Sequence, residues 1–415
     1  MKPIGQNALE SPAPVAGVEK EREWEREKDH KGESKAERPS RGKTPPIDIV
    51  AVLVTTTPEL RKVLVEPERV VAASVTISTC VIAPTFKSKA FPHNVSAGVL
   101  DLLYQLTRLP NNQKAWKKEL SDAFLDPKFF SSPISLVKSN WVPLARQYLM
   151  SERERMTELL GRITPPTTAG VLFGVGATST RQEADKKAQL NLRRIAFLIF
   201  AAPADTFVVN LSELEEKLVE LLSATAVTSP SAATRGDVYL VFRALVLRTS
   251  PVHLSSFWPL INTELQSAIS ALFPDEENDT YTDFAILQAC KLLDTLLVIA
   301  PDEFQLHEWL FVTDTIEAVY RPNEWNPTAL VDQVAIELPS SSSHGAVVEN
   351  RRRPWLAGDY IRELEKGRGD IRAEFLRPFF NNLSIFVYEA TYGMKPPDIE
   401  ACEDALLKDI FFEEP

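Results

Sequence analysis

Residues 237–273 read DVYLVFRALVLRTSPVHLSSFWPLINTELQSAISALF, and residues 281–320 read YTDFAILQACKLLDTLLVIAPDEFQLHEWLFVTDTIEAVY. In the first run Leu254, Trp258, Ile261, Leu265, Ile269 and Leu272 recur at helical spacing, with Asn262, Glu264 and Gln266 on the opposite side. Ser250 stands where an N-cap is expected, and Pro251 where the first helical residue is. Pro259 then breaks or kinks the pattern, which predicts a short turn followed by a longer helix. In the second run Ile286, Cys290, Leu293 and Leu297 share one face, and Leu292, Leu296 and Ile299 lie beside it. Only Gln288, Lys291, Asp294 and Thr295 are left for water. So broad a stripe requires neighbours on two sides, as in stacked helices. Pro301, Asp302 and Glu303 open the next helix, with carboxylates at its positive end. Helix, short loop and helix repeat, and the expected fold is an all-α, irregular α-solenoid of stacked helix pairs, HEAT- or armadillo-like.

Working outward, 415 residues can bury a large core, and a 44% hydrophobic fraction is that of a globular chain. A net charge of −11 argues against a general nucleic-acid binder. Cys80, Cys290 and Cys402 lie far apart with no metal-ligand spacing, which fits a reducing compartment. Cys290, on an apolar face, reads as a small core residue. No signal peptide and no uniformly apolar membrane-spanning stretch is apparent.

Residues 1–46 form a tail of mixed charge with almost no apolar anchors, expected to be disordered. Residues 47–92 are an opening segment of open character. Ile47 to Thr55 and Val70 to Ile82 suit either strands or helices buried in a larger assembly. From 93 to 395 the helical signal is firm, and 396–415 reads as an acidic terminal helix. Thr180 with Glu183, and Ser212 with Glu215, match the capping-box spacing. Residues 164–179 read as a loop; Gly174 and Gly176 lack the Lys or third Gly that a phosphate loop needs.

Two basic segments are candidate contacts with a membrane or a partner. Lys186, Lys187, Arg193 and Arg194 lie in the charged half of a helix whose second half is apolar. Arg351, Arg352 and Arg353 precede Trp355 in a loop. The plainer reading is solvation of a helix start, and a basic loop anchored by Trp355. The sharper reading is an electrostatic patch for anionic lipid or an acidic partner. Catalysis has little support. Neither His253 nor His307 has a nucleophile or metal ligand at useful spacing, and His307 with Trp309 reads as packing. No catalytic, metal or cofactor residues are expected.

The runs LNLRRIAFLIF, YLVFRALVLRTSPVHLSSFWPLINTEL, ILQACKLLDTLLVIAPDEFQLHEWLFV and PFFNNLSIFVYEATYG resemble the C-terminal region of the Dopey family, fungal type. The resemblance covers roughly 96–392, and its most specific part pairs RTSP-x-H-L-x-S-x-W-P with the ACK-x-LD helix. Ser250, Pro251, His253, Trp258, Pro259 and Cys290 of this part, and Trp309 of the run that follows, read as architectural. The resemblance implies a cytoplasmic, non-enzymatic scaffold or adaptor, peripheral on Golgi and endosomal membranes. It further implies work in vesicle traffic, partly through an Arf-exchange-factor-like scaffold and an aminophospholipid flippase, and in fungi a link to cell morphogenesis. Members of the family are several times longer and begin with a separate helical domain. The chain therefore reads either as a truncated piece of such a protein or as a short relative.

Overall fold

A computed structural model describes residues 48–152, 154–163, 177–223, 231–273, 280–321, 325–338, 352–357 and 370–411. The tail at 1–46, most of the loop at 164–179 and Arg351 lie outside the described residues. The principal helices, in chain order, are α1 (Ile49–Thr56), α2 (Pro67–Phe86), α3 (Ala97–Arg108), α4 (Lys117–Leu125) and α5 (Val142–Ser151). Then come α6 (Ala177–Ala201), α7 (Leu211–Leu222), α8 (Ala232–Arg248), α9 (Phe257–Ser270) and α10 (Asp283–Ile299). The last three are α11 (Leu330–Glu337), α12 (Arg377–Tyr392) and α13 (Ile399–Ile410). No strand occurs among the described residues, and one isolated bridge joins Arg352 to Pro397. The fold is all-α, an irregular α-solenoid.

The stack is built on three long helices: α6 packs on α8, and α8 on α10. Helix α8 is buried on every side from Thr234 to Val246, and α10 from Ala285 to Val298. A helix enclosed all round has no solvent face, so hydrophobic periodicity loses its meaning there. α9 packs on α10 and on α11, which lies against α12. α13 crosses back over α6, α8 and α10, and seats Phe411 among Phe129, Phe130 and Phe197.

The opening segment is helical. α1 packs on α3, and the inner side of α2, with Val70, Ser74, Ile82 and Phe86, is buried. By length and composition alone α2 is apolar enough to cross a membrane, which corrects the expectation that no such stretch exists. Its outer threonines return their hydroxyls to the helix: Thr76 donates to the Ala72 carbonyl and Thr79 to that of Val75. Such back-bonding satisfies the hydroxyl and turns the methyl outward.

Three prolines are absorbed inside helical runs. Pro84, Pro143 and Pro378 each sit second in a helix that follows one wide turn: Ser78–Ile82, Val137–Trp141 and Arg372–Leu376. Proline has no N–H and crowds the carbonyl four residues back, so the ladder widens to i→i+5 just before it. Pro259 is accommodated more simply, in the first turn of α9, where its missing donor was not required. The short turn predicted there lies earlier, at Pro251–His253.

Candidate contact surfaces and the buried ionic network

Of the polar residues on α9, Gln266 is exposed as expected, but Asn262 and Glu264 are inside the protein, and so are all four polar residues left for water on α10. Glu264 is buried and accepts from Arg235 Nη1 (2.8 Å), the Tyr239 hydroxyl (3.1 Å) and the Tyr281 hydroxyl (3.3 Å). Burial, then the Glu264 charge, pushes the Tyr281 phenol up to about 12. Gln288, Lys291, Asp294 and Thr295 are all buried too. Lys291 Nζ meets Asp409 Oδ1 at 2.9 Å, and Arg243 Nη1 bonds the other oxygen of the same carboxylate. One carboxylate from α13 thus clamps cations from α8 and α10. Burial raises the Asp409 carboxyl, but Lys291 and Arg243 outweigh it and leave it below the ordinary value. Asp294 Oδ2 accepts the Leu356 amide at 2.7 Å and so holds the Trp355–Ala357 turn to α10. Burial pushes this carboxyl up to about 7, against the amides of Leu356 and Trp355 and the Arg243 charge.

The first basic segment divides. Lys186 and Lys187 are exposed on α6. Arg193 and Arg194 are structural, because they lie about two turns further along α6, where the helix has entered the packed region. Arg193 Nε lies 2.9 Å from Asp237 Oδ1. Arg194 is buried, donating Nε to the Phe124 carbonyl (3.2 Å) and Nη2 to that of Leu125 (2.7 Å). It thereby satisfies carbonyls left open at the end of α4. Burial and the nearby Arg162 charge lower its guanidinium to about 10, so it stays charged at neutral pH. These two are corrections to the membrane-patch reading: neither presents its charge to a surface.

The second segment is likewise tied down. Arg352 pairs its backbone with Pro396 and Asp398 and donates Nη1 to the Leu297 carbonyl (3.1 Å). Arg353 pairs with Asp398 at 2.7 Å yet stays about half exposed. Trp355 is half-buried and packs against the core. The plainer reading, a loop anchored by Trp355, is what the geometry favours.

Among the architectural residues, Trp258 and Cys290 are core. Ser250 sits at the N-cap position, but its side chain does not cap. Its hydroxyl and amide instead bond both oxygens of Asp205, at 2.6 and 2.7 Å, which holds that carboxyl below the ordinary value. The capping boxes fare similarly. α6 begins at Ala177, ahead of Thr180, and α7 begins at Leu211 after Asn210, so Ser212 is already helical. Glu215 accepts from the Ser256 hydroxyl. His253 is exposed. Trp309 is no packing residue; it is 62% exposed, and His307 beside it is exposed as well. Both lie on short turns rather than on one helix, because the helix opened by Asp302 ends at Gln305.

A small cleft of about 280 Å³ opens where α8, α9 and α10 end, with Pro251, Trp258 and Pro301 among its walls. Among the described residues no group of three or more His, Cys, Asp or Glu side chains is arranged to hold a metal ion. The buried charged groups described above are spent on each other and on backbone amides and carbonyls.

A stack of helices with internally consumed polar groups defines the class: a helical-repeat-like, all-α protein with no enzymatic family indicated. The family model described as DOP1 C-terminal matches residues 21–393, and the chain belongs to that family, the Dopey family. It is 45% identical over 380 residues to "Protein dop1" of Emericella nidulans, covering 89% of this chain and 20% of that protein. With "Protein DOP1" of Saccharomyces cerevisiae it shares 28% over 361 residues, 81% of this chain and 19% of the relative. With "Protein DOP1B" of Mus musculus the figures are 28% over 263 residues, 56% and 10%. The chain thus spans about a fifth of the length of these fungal relatives. No solved structure matches it.

Proposed function

We propose that this chain is a non-enzymatic scaffold module of endosome–Golgi membrane traffic, acting by protein–protein contact. Its partners in this reading are an Arf-exchange-factor-like scaffold and an aminophospholipid flippase, and its place is cytoplasmic and peripheral on Golgi and endosomal membranes. The observation that carries the reading is the fold itself within this family: a stacked-helix body whose buried charges are consumed internally. Such stacks offer long exposed surfaces suited to gripping other proteins.

A second reading is direct recognition of anionic lipid. Its remaining support is the exposed pair Lys186 and Lys187 together with the half-exposed Arg353. One experiment separates the two. The full chain and its K186E/K187E variant are used as baits in membrane extracts, and both are floated with phosphatidylserine liposomes. Capture of the scaffold or the flippase by both baits, without flotation, supports the proposal. Flotation that falls with salt and is lost in the variant, without capture, overturns it in favour of lipid.

A further inference from the structure

The stretch between Pro301 and Tyr320 faces two ways. Phe304, Phe311, Val312 and Ala318 are fully buried, and Phe304 stacks on Phe311 with ring centroids 6.0 Å apart. Between these anchors Leu306, Trp309, Ile316, Val319 and Tyr320 turn outward, each 57% to 73% exposed. The display is held by backbone bonds: His307 N–H to the Phe304 carbonyl (2.8 Å), Phe311 to Glu308 (2.9 Å) and Tyr320 to Ile316 (2.9 Å). It is also tied to the body, since the Thr313 amide donates to Ser384 Oγ (3.0 Å) and the Val331 amide to the Phe311 carbonyl (2.9 Å). Five large apolar side chains raised on pinned turns are costly to leave in water, and a patch of this kind marks an interaction site.

The charge on the same stretch says what kind of partner fits. Asp302, Glu303, Glu308, Asp314 and Glu317 lie in it, and no Lys or Arg does. None of the five forms an ion pair with a described residue; Asp302, Asp314 and Glu317 are exposed, whereas Glu308 is half-buried, feels the Arg352 charge and is raised to about 7 by burial and by Asp314. An anionic lipid surface would be repelled by them, and an acidic protein surface equally. The protein presents no sheet edge here for an extended chain to join.

We infer that the Pro301–Tyr320 surface docks a cationic amphipathic helix of a partner protein: apolar residues at i, i+3/i+4 and i+7 against Trp309 and its neighbours, flanking Lys or Arg against the carboxylates. This rests on the reading of the chain as a protein-binding scaffold and names the chemistry of one partner segment. Trp309 is the anchor, being the large amphipathic aromatic of the set. The exposed carboxylates of Asp302, Asp314 and Glu317 supply orientation and salt-dependent attraction.

The test uses the full chain and three labelled synthetic peptides of about 18 residues, long enough for five helical turns. One has a leucine face and a lysine face, one has the same composition shuffled to destroy the faces, and one has glutamate in place of lysine. Fluorescence anisotropy is expected to show binding of the first only, weakening as salt rises. Trp309→Ala with Ile316→Ala is expected to lower that affinity about tenfold or more. Both positions are exposed, and an unchanged thermal melt will show that the variant folds. Equal affinity for the shuffled peptide, or for wild type and the double variant, overturns the proposal. The scaffold reading fails separately. If wild type and the W309A/I316A variant recover the same partner equally from membrane extracts, that reading stands and this surface does not. If neither recovers the scaffold or the flippase while the peptide passes every control, the surface stands and those partners do not.

Discussion

Replacing Asp409 by Ala removes the one carboxylate that two buried cations share. The Arg243 side chain keeps 2% of its exposure and that of Lys291 keeps 4%, so neither reaches water when its counter-ion is gone. Breaking a buried ion pair from one side costs about 3–5 kcal/mol, most of it the charge left without compensation. Here two like charges lose the carboxylate they share, which places Asp409→Ala toward the upper end. Lys291→Met alone leaves the Arg243 contact intact and removes one of the cations, so its cost is smaller. The double variant Asp409→Ala/Lys291→Met is therefore less destabilised than the sum of the two single variants. Guanidinium unfolding followed by circular dichroism reads all three. A loss of under about 1 kcal/mol for Asp409→Ala, the worth of a solvated surface pair, refutes the reasoning. So does simple additivity in the double variant, which would mean that the two cations do not feel each other through the carboxylate.

The Asp294 carboxyl titrates near 7 in the folded protein, above the ordinary 3.8, so between those values the native state binds the proton more tightly than the unfolded chain. Stability contributed by Asp294 is therefore present at low pH and lost as pH rises from about 4 toward 7; Asp294→Asn flattens the fall in melting temperature over that window. Glu308, raised to about 7 by burial and by Asp314, adds to the same slope. Arg194→Ala uncovers the Phe124 and Leu125 carbonyls; the expected cost is about 1–3 kcal/mol in chemical denaturation, with no change in liposome flotation. Trp258→Ala empties a core site and costs about 3–5 kcal/mol. Trp309→Ala, at an exposed position, stays within about 0.5 kcal/mol by the same melt. A Cβ at Gly236 would stand 3.0 Å from the Phe284 ring, so Gly236→Ala lowers the melting temperature unless that ring gives way.

Local pattern carried the helical reading a long way, and it failed where distant parts of the chain meet. The spacing of Trp258, Ile261, Leu265 and Ile269 located α9, and that of Ile286, Cys290, Leu293 and Leu297 located α10. The error was to assign Glu264, Lys291 and Asp294 to solvent. A polar residue on an otherwise apolar helix reads as an outer face only if that face is free: α10 has no free face, and on α9 the free side carries Thr263, Gln266 and Ser267 but not Glu264. Their partners, Arg235, Asp409 and the Leu356 amide, stand 29, 118 and 62 residues away, beyond the reach of any periodicity. The same blindness misplaced Ser250, which serves Asp205 across 45 residues rather than its own helix start. Arg194 looked like a solvated charge because its acceptors are backbone carbonyls 69 and 70 residues earlier, invisible in side-chain chemistry. Trp309 erred the other way. Aromatic residues usually pack, and only the alternation with Phe304 and Phe311 carried a signal that it points out.

The reach of Asp409 has a consequence for synthesis. A ribosome releases Arg243 and Lys291 into the cell 166 and 118 residues before it releases their shared counter-ion. During that interval α8 and α10 can pair through their aliphatic faces, but the two cations between them still need water, and the groove that α13 will occupy must stay wet. Closing the centre of the stack therefore waits for α13, whose arrival brings Phe411 into the aromatic cluster and Asp409 onto the cations in one step. Until α13 docks, that groove accepts only a segment that brings an acidic group with it, so the two cations select what may close the stack as well as holding it closed.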